Sequence, residues 1–238
     1  MEEHLGQPLA ASCDEALKTL STTINKRQWH KATRQAANIT HHWPHSLQAW
    51  KQRYLVALLL NDMVGATECS DVLHRLPGFS DVDLGDMLRD QVLSIVRNHA
   101  AEHYHSAAML ITQAERLHAG DANRQYCLMG ASGRLQAVLG NNELALRHMI
   151  IADRGWAAMG KSANKQWRYN NWVHLQRLLV GTRPASRLDT CARWIAGCHI
   201  GLRLAIGLPG AKWTPKHAGI GLAAPILALT GQSERFMR

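Results

Sequence analysis

The sequence predicts an all-α fold, an array of helical hairpins closed by a helical C-terminal cap. Three observations carry this. β-Branched runs are scarce, while Leu, Ala, Gln and Arg are abundant, a composition that favours helix. Small residues recur at helical spacing in four places. Turn signals separate the helical stretches from one another. The 238 residues suffice to bury a core without disulfide or metal staples. With 46% hydrophobic and 19% charged residues, disorder and low-complexity polymers are excluded.

The recurring pattern is anchored on Ala32, Ala66, Ala107 and Ala145, which lie 34, 41 and 38 residues apart. Four residues after the anchors come Ala36, Ser70, Ile111 and Met149; seven after them come Ile39, Leu73, Ala114 and Ala152. Positions i, i+4 and i+7 share one helix face, and short side chains there let a neighbouring helix approach closely. Each anchor helix follows another helical stretch, expected near 14–25, 47–60, 87–99 and 123–139. Asn25-Lys26, Asn61-Asp62 with Gly65, and Gly140-Asn141-Asn142 are turns ahead of anchor helices. Pro44 and Pro77 close the first two anchor helices, because proline cannot continue the hydrogen-bond ladder. Residues 78–86 read as a polar insert that lengthens the spacing to the third anchor.

Self-similarity at this period is the signature of a helical repeat. The second unit carries Trp50 early, Tyr54 and Ala57 along its first helix, Gly65-Ala66 opening its second, and Pro77 at its end. The first keeps Trp29, Ala32, Ala36 and Pro44; the third Tyr104, Ala107 and Ala114; the fourth Gly133, Ala145 and Ala152. On these residues the stretch 14–155 resembles the tetratricopeptide-repeat family in a divergent form. No unit has the full Trp-x2-Leu-Gly-x2-Tyr run, and the period is irregular. The resemblance implies an α-solenoid whose first helices line a groove for a protein or peptide. Carried over by position, Lys51 and Leu55 of the second unit, Arg89 of the third and Arg134 of the fourth would face it. Such cations favour an acidic or carboxylate-bearing partner.

Residues 162–181 form a further helix, with Trp172, Leu175, Leu178 and Leu179 at helical spacing and Gly181 at its end. Thr182-Arg183-Pro184 breaks the pattern, and 186–207 form the next helix. The organisation expected is a tail over 1–13, repeats over 14–181, and a basic, Gly-rich cap over 182–238.

The net charge of +9 is unevenly placed. Residues 1–153 hold 14 Lys/Arg against 16 Asp/Glu, whereas 154–238 hold 13 against only Asp189 and Glu234. Within the basic part, Lys161, Lys165, Trp167, Arg168, Tyr169, Trp172 and Arg177 crowd together. Cations neutralise phosphates or carboxylates and aromatic faces stack on bases, so a nucleic-acid partner is the alternative reading. Arg168 and Arg177 join the candidate partner-binding residues.

Gly155-Trp-Ala-Ala-Met-Gly-Lys-Ser162 matches the phosphate-loop pattern, which gives a third reading, a nucleotide-binding enzyme. That loop needs a strand before it, and Leu144–Asp153 instead reads as helix. His99-Ala-Ala-Glu-His103 matches an inverted zinc-peptidase pattern, but it falls at a turn between two helices. His41-His42 suits a helix C-terminus, and Cys191, Cys198 and His199 lack further ligands. No catalytic residue, metal or cofactor is assigned. Five scattered cysteines without a CxxC pair, no leader-like start and no apolar run of membrane-spanning length point to a reduced, cytoplasmic setting without a transmembrane segment.

Overall fold

The computed structural model describes residues 12–181 and 187–206. Among the described residues the chain is all helical, with no strand and ten α-helices. They are α1 (Cys13–Asn25), α2 (Trp29–His42), α3 (Leu47–Leu60), α4 (Met63–Leu73) and α5 (Asp81–Arg97), followed by α6 (Tyr104–Leu117), α7 (Ala122–Val138), α8 (Asn142–Met159), α9 (Lys165–Gly181) and α10 (Arg187–Ile206). The expected tail and C-terminal cap lie largely outside the described residues; of the cap, α10 is described. No described helix is long and apolar enough to cross a membrane.

Local chemistry sets the helix starts. Ser12, Ser46, Asp62 and Asp121 sit at N-caps, and each side chain accepts a hydrogen bond from the backbone N–H three residues on. Such caps satisfy amide donors that have no partner within the helix. One expectation needs correction here. Residues 78–86 are not a polar insert throughout, because α5 begins at Asp81, six residues earlier than the spacing predicts. Ser80 Oγ accepts from the Asp83 amide at 3.2 Å, and Asp83 Oδ2 accepts from the Ser80 amide at 3.1 Å. This reciprocal box starts a helix inside a run that looks loop-like by composition.

The chain divides into two compact units, one up to Leu84 and one from Gly85. In the first unit, α1 packs on α2, α2 on α3 and α3 on α4. Leu20, Ala32, Ala36, Ile39, Ala49 and Val56 form its principal core. In the second unit, α6 packs on α7, α7 on α8, α8 on α9 and α9 on α10; α7 also touches α9. One of its cores joins Val92 and Ile95 of α5, Ala107 and Ile111 of α6, and Ala131 and Leu135 of α7. Another joins Ala145, Leu146 and Met149 of α8 to Leu175, Leu178 and Leu179 of α9.

All four anchor alanines are buried, Ala32, Ala107 and Ala145 completely and Ala66 at 3% exposure. The seventh position on, Ile39, Leu73, Ala114 or Ala152, is buried in every case. Short side chains at the contacts let the backbones approach, and the longer apolar residues one or two turns away fill the space beside them. Gly133 is one tight point between α7 and α8, since a Cβ there would lie 2.8 Å from the Met149 side chain.

Enlarging a buried anchor therefore strains the contact, while the same chemistry on the outer face does not. Ala107→Leu is expected to cost about 1–3 kcal/mol by overpacking. Met109→Leu, at a position 65% exposed, should stay within about 0.5 kcal/mol of wild type. Urea denaturation of both variants checks this, and an Ala107→Leu protein as stable as wild type would contradict the packing.

Candidate functional site

The cations singled out from the sequence fall into two classes. Most are neutralised by carboxylates within their own unit. Lys51 of α3 pairs with Asp83 in the first turn of α5, and Leu55, one turn along α3, is half-buried. Arg89 is buried on α5, where NH1 donates to Asp86 at 2.7 Å and NH2 to Asp90 at 2.8 Å. Its guanidinium also lies over the Trp167 ring, 5.3 Å from the centroid. Burial opposes the Arg89 charge, but the carboxylates of Asp90 and Asp86 outweigh it and raise its pKa further. Arg168 donates to Asp153 at 2.7 Å and lies over Trp172, whose indole N–H donates to the same carboxylate.

Asp86 is the hub of the largest ionic group. It accepts from Arg89 and from Arg124 of α7, and His118 Nε2 lies 3.4 Å from its Oδ1. Arg124 also pairs with Asp121, the α7 N-cap. The His118 ring is fully buried beneath Gly85, where a Cβ would meet the ring at 2.5 Å.

Arg134 behaves differently. Arg134 on α7 has its Nε shielded from water, with no hydrogen-bond partner among the described residues. The charges acting on it among the described residues are those of Cys127 and Arg177. Burial, with Arg177 beside it, lowers its pKa to about 10, which leaves it charged at neutral pH. His174 of α9 lies within the field of both guanidinium groups. Burial first, and then Arg134 and Arg177, hold its imidazole well below the ordinary value, so it is neutral at pH 7. His174 and Arg177 are one helical turn apart, whereas Arg168 and Arg177, nine residues apart, project from opposite sides of α9. The structure thus brings Arg134 and Arg177 together and places Arg168 elsewhere.

The seam between α7 and α9 explains this convergence. A Cβ on Gly130 would lie 3.0 Å from Asn171 Oδ1, so glycine is what lets Asn171 in. Asn171 is buried, and its Nδ2 donates to the Met149 carbonyl at 3.0 Å. One turn on from this contact, Arg134 on α7 acts electrostatically on His174 of α9. One turn back stand Cys127 and Trp167. Burial pushes the Cys127 thiol up, which keeps it protonated and unreactive at neutral pH. Sequence reasoning missed His174, Cys127 and Asn171; their signal was the helical spacing of Cys127, Gly130 and Arg134 against Trp167, Asn171 and His174.

The sequence motifs resolve into structural roles. The phosphate-loop pattern begins inside a helix, because α8 runs unbroken to Met159. Gly155 lies inside α8, where a Cβ would fall 2.2 Å from the Tyr126 ring, so it is a packing glycine. Gly160 ends α8 with φ +58°. Ser162 donates to the Met159 carbonyl, and its own carbonyl accepts from Asn123. His99 has a left-handed backbone (φ 53°) after α5, and His103 sits in a short 3-10 turn (Ala101–His103), so the two do not share a helix face. Trp172 is buried, and Trp167 is half-buried against Arg89, which occupies aromatic faces that base stacking would need.

Comparison with family models, with curated proteins and with solved structures found no match.

Two outcomes follow from these charges. Arg89→Leu leaves Asp86 and Asp90 without their shared cation and should cost about 3 kcal/mol or more, measured by urea denaturation; a loss below about 1 kcal/mol would contradict a buried pair. Burial also holds His118 and His148, like His174, below the ordinary histidine value of 6.5. The unfolded chain takes up these protons near pH 6.5 while the folded chain does not. Stability from this source is complete above that pH and falls as the pH drops through it. Asp83 and Asp121, held down by Lys51 and by Arg124 against the opposing effect of burial, add a second loss below about pH 3.8. The urea midpoint should decline from pH 7.5 to 5, with a shallower decline in His174→Gln; a flat profile in wild type would contradict the burial of these rings.

Proposed function

We propose that the chain is a divergent tetratricopeptide-like repeat module that binds a protein or peptide bearing an acidic group. The observation that carries this reading is the unbalanced positive charge at the α7–α9 seam. Arg89, Arg168 and Lys51 have carboxylates of their own, while Arg134 has none among the described residues. Shielded cations without a counter-charge are costly, and an acidic ligand supplies one. The repeat reading is supported by the common register of buried alanines in α2, α4, α6 and α8. It is supported as well by the position of Arg134 on α7, the helix that precedes α8 in its hairpin.

Binding of fluorescein-labelled acidic peptides, followed by anisotropy, tests the reading. Acidic peptides should bind more tightly than their lysine-substituted counterparts, and Arg134→Glu should weaken them at least about tenfold, as expected for losing a charge-assisted contact. Equal affinity for acidic and basic peptides would overturn it. Tight, salt-sensitive binding of single-stranded nucleic acid by a protein that ignores acidic peptides would favour the nucleic-acid reading instead.

A further inference from the structure

One buried imidazole lies outside the partner-binding reading. His118 caps the C-terminal end of α6, and its ring is fully shielded from solvent. Neither ring nitrogen has a hydrogen-bond partner among the described residues. Nε2 lies 3.4 Å from Asp86 Oδ1, close enough for attraction but not placed to donate to it. The nitrogen-bearing edge faces Gly85 of α5, where a Cβ would fall 2.5 Å from Cε1, 2.7 Å from Nε2 and 3.0 Å from Nδ1. We propose that His118 is a proton-operated latch between α5 and α6. Neutral, its ring holds residues 85–91 of α5 in place; protonated, it leaves its seat and lets that stretch come away, while α5 from Val92 onward stays packed.

The surrounding charges leave no counter-ion for an imidazolium. Asp86 and Arg89 face the ring from α5, and Asp121 and Arg124 face it from the start of α7. Two carboxylates stand against two guanidinium groups, and they are already committed to one another. Arg89 donates to Asp86 at 2.7 Å, Arg124 donates to Asp86 at 3.2 Å, and Arg124 also pairs with Asp121. A proton added to the ring would therefore make a buried charge without a partner, which a protein interior disfavours. Burial accordingly lowers the His118 pKa from its ordinary 6.5, against the pull of Asp86. Once the ring reaches water that ordinary value returns. Protons then bind the open form more strongly than the closed one, and acid drives the opening.

The division of α5 keeps the opening local. Val92 and Ile95 are buried in one core with Ala107, Ile111, Ala131 and Leu135, which anchors the later turns. The stretch before them meets α6, α7 and α9 through the His118 ring, through Asp86 with Arg124, and through Arg89 over the Trp167 ring. Gly85 is what admits the latch. A methyl group there would push the ring out, because the ring is the free end of a side chain that can turn away. Alanine also favours helix over glycine, so the substitution leaves α5 itself intact. Gly85→Ala thus imitates the protonated latch at neutral pH.

Amide hydrogen exchange on the full chain tests the latch, with rates corrected for the pH dependence of exchange in an unstructured chain. Between pH 7.5 and 5.5, protection over residues 85–91 should fall by between about threefold and tenfold, as linkage to one histidine requires. Protection over Val92–Arg97 should fall less. His118→Gln takes up no proton and should give a flat profile over 85–91, whereas His174→Gln should keep the wild-type response. His118→Phe fills the seat without nitrogens and should be flat as well, so the outcome does not hang on one variant folding. Gly85→Ala should show weakened protection over 85–91 already at pH 7.5. An acid response unchanged in both His118 variants would overturn the latch. So would a loss spread equally over all of α5 and α7, or a Gly85→Ala protein protected like wild type at pH 7.5.

Discussion

Close helix contact through short side chains is the constraint from which the other features follow. Completely buried alanines at 32, 107 and 145, and nearly buried Ala66, let α2, α4, α6 and α8 come near their neighbours. Glycine extends the same principle at the tightest points. Gly133 accommodates Met149, Gly155 accommodates the Tyr126 ring, and Gly130 accommodates Asn171. The last two place an aromatic ring and a polar amide where a larger residue would exclude them. The chemistry of the second unit is thus a consequence of its packing.

Ionic groups are used mainly to join helices that meet in this way. Asp86 ties α5 to α7 through Arg124, and Asp153 ties α8 to α9 through Arg168 and Trp172. Buried pairs of this kind contribute little net stability, yet removing one partner is expensive because the other charge remains. That asymmetry makes them strong determinants of which helices can sit together. Against this background the seam of α7 and α9 stands apart. There two guanidinium groups and an imidazole come together, and no described carboxylate acts on Arg134.

The helices were largely legible in the sequence, because a contact between two helices writes itself as small residues at i, i+4 and i+7. The start of α5 was not legible from composition. Gly-Phe-Ser-Asp-Val-Asp looks like a loop, and only the reciprocal bonds of Ser80 and Asp83 make it a helix start. The phosphate-loop pattern was readable as coincidence, since the helical spacing of Ala145, Met149 and Ala152 left no room for a strand. The candidate cations were readable as charges but not as roles. Whether an arginine is free to meet a ligand depends on carboxylates far away in the chain, 15 residues for Arg168 and 38 for Arg124. His174 was invisible for the same reason, because one histidine on an amphipathic helix has no signature until the fold brings it into the field of Arg134.

The central claim is that short side chains at Ala32, Ala66, Ala107 and Ala145 set how closely neighbouring helices approach. A crystal structure of the protein tests it most directly. The account predicts all four side chains buried against a neighbouring helix. Any of the four pointing into solvent would contradict it.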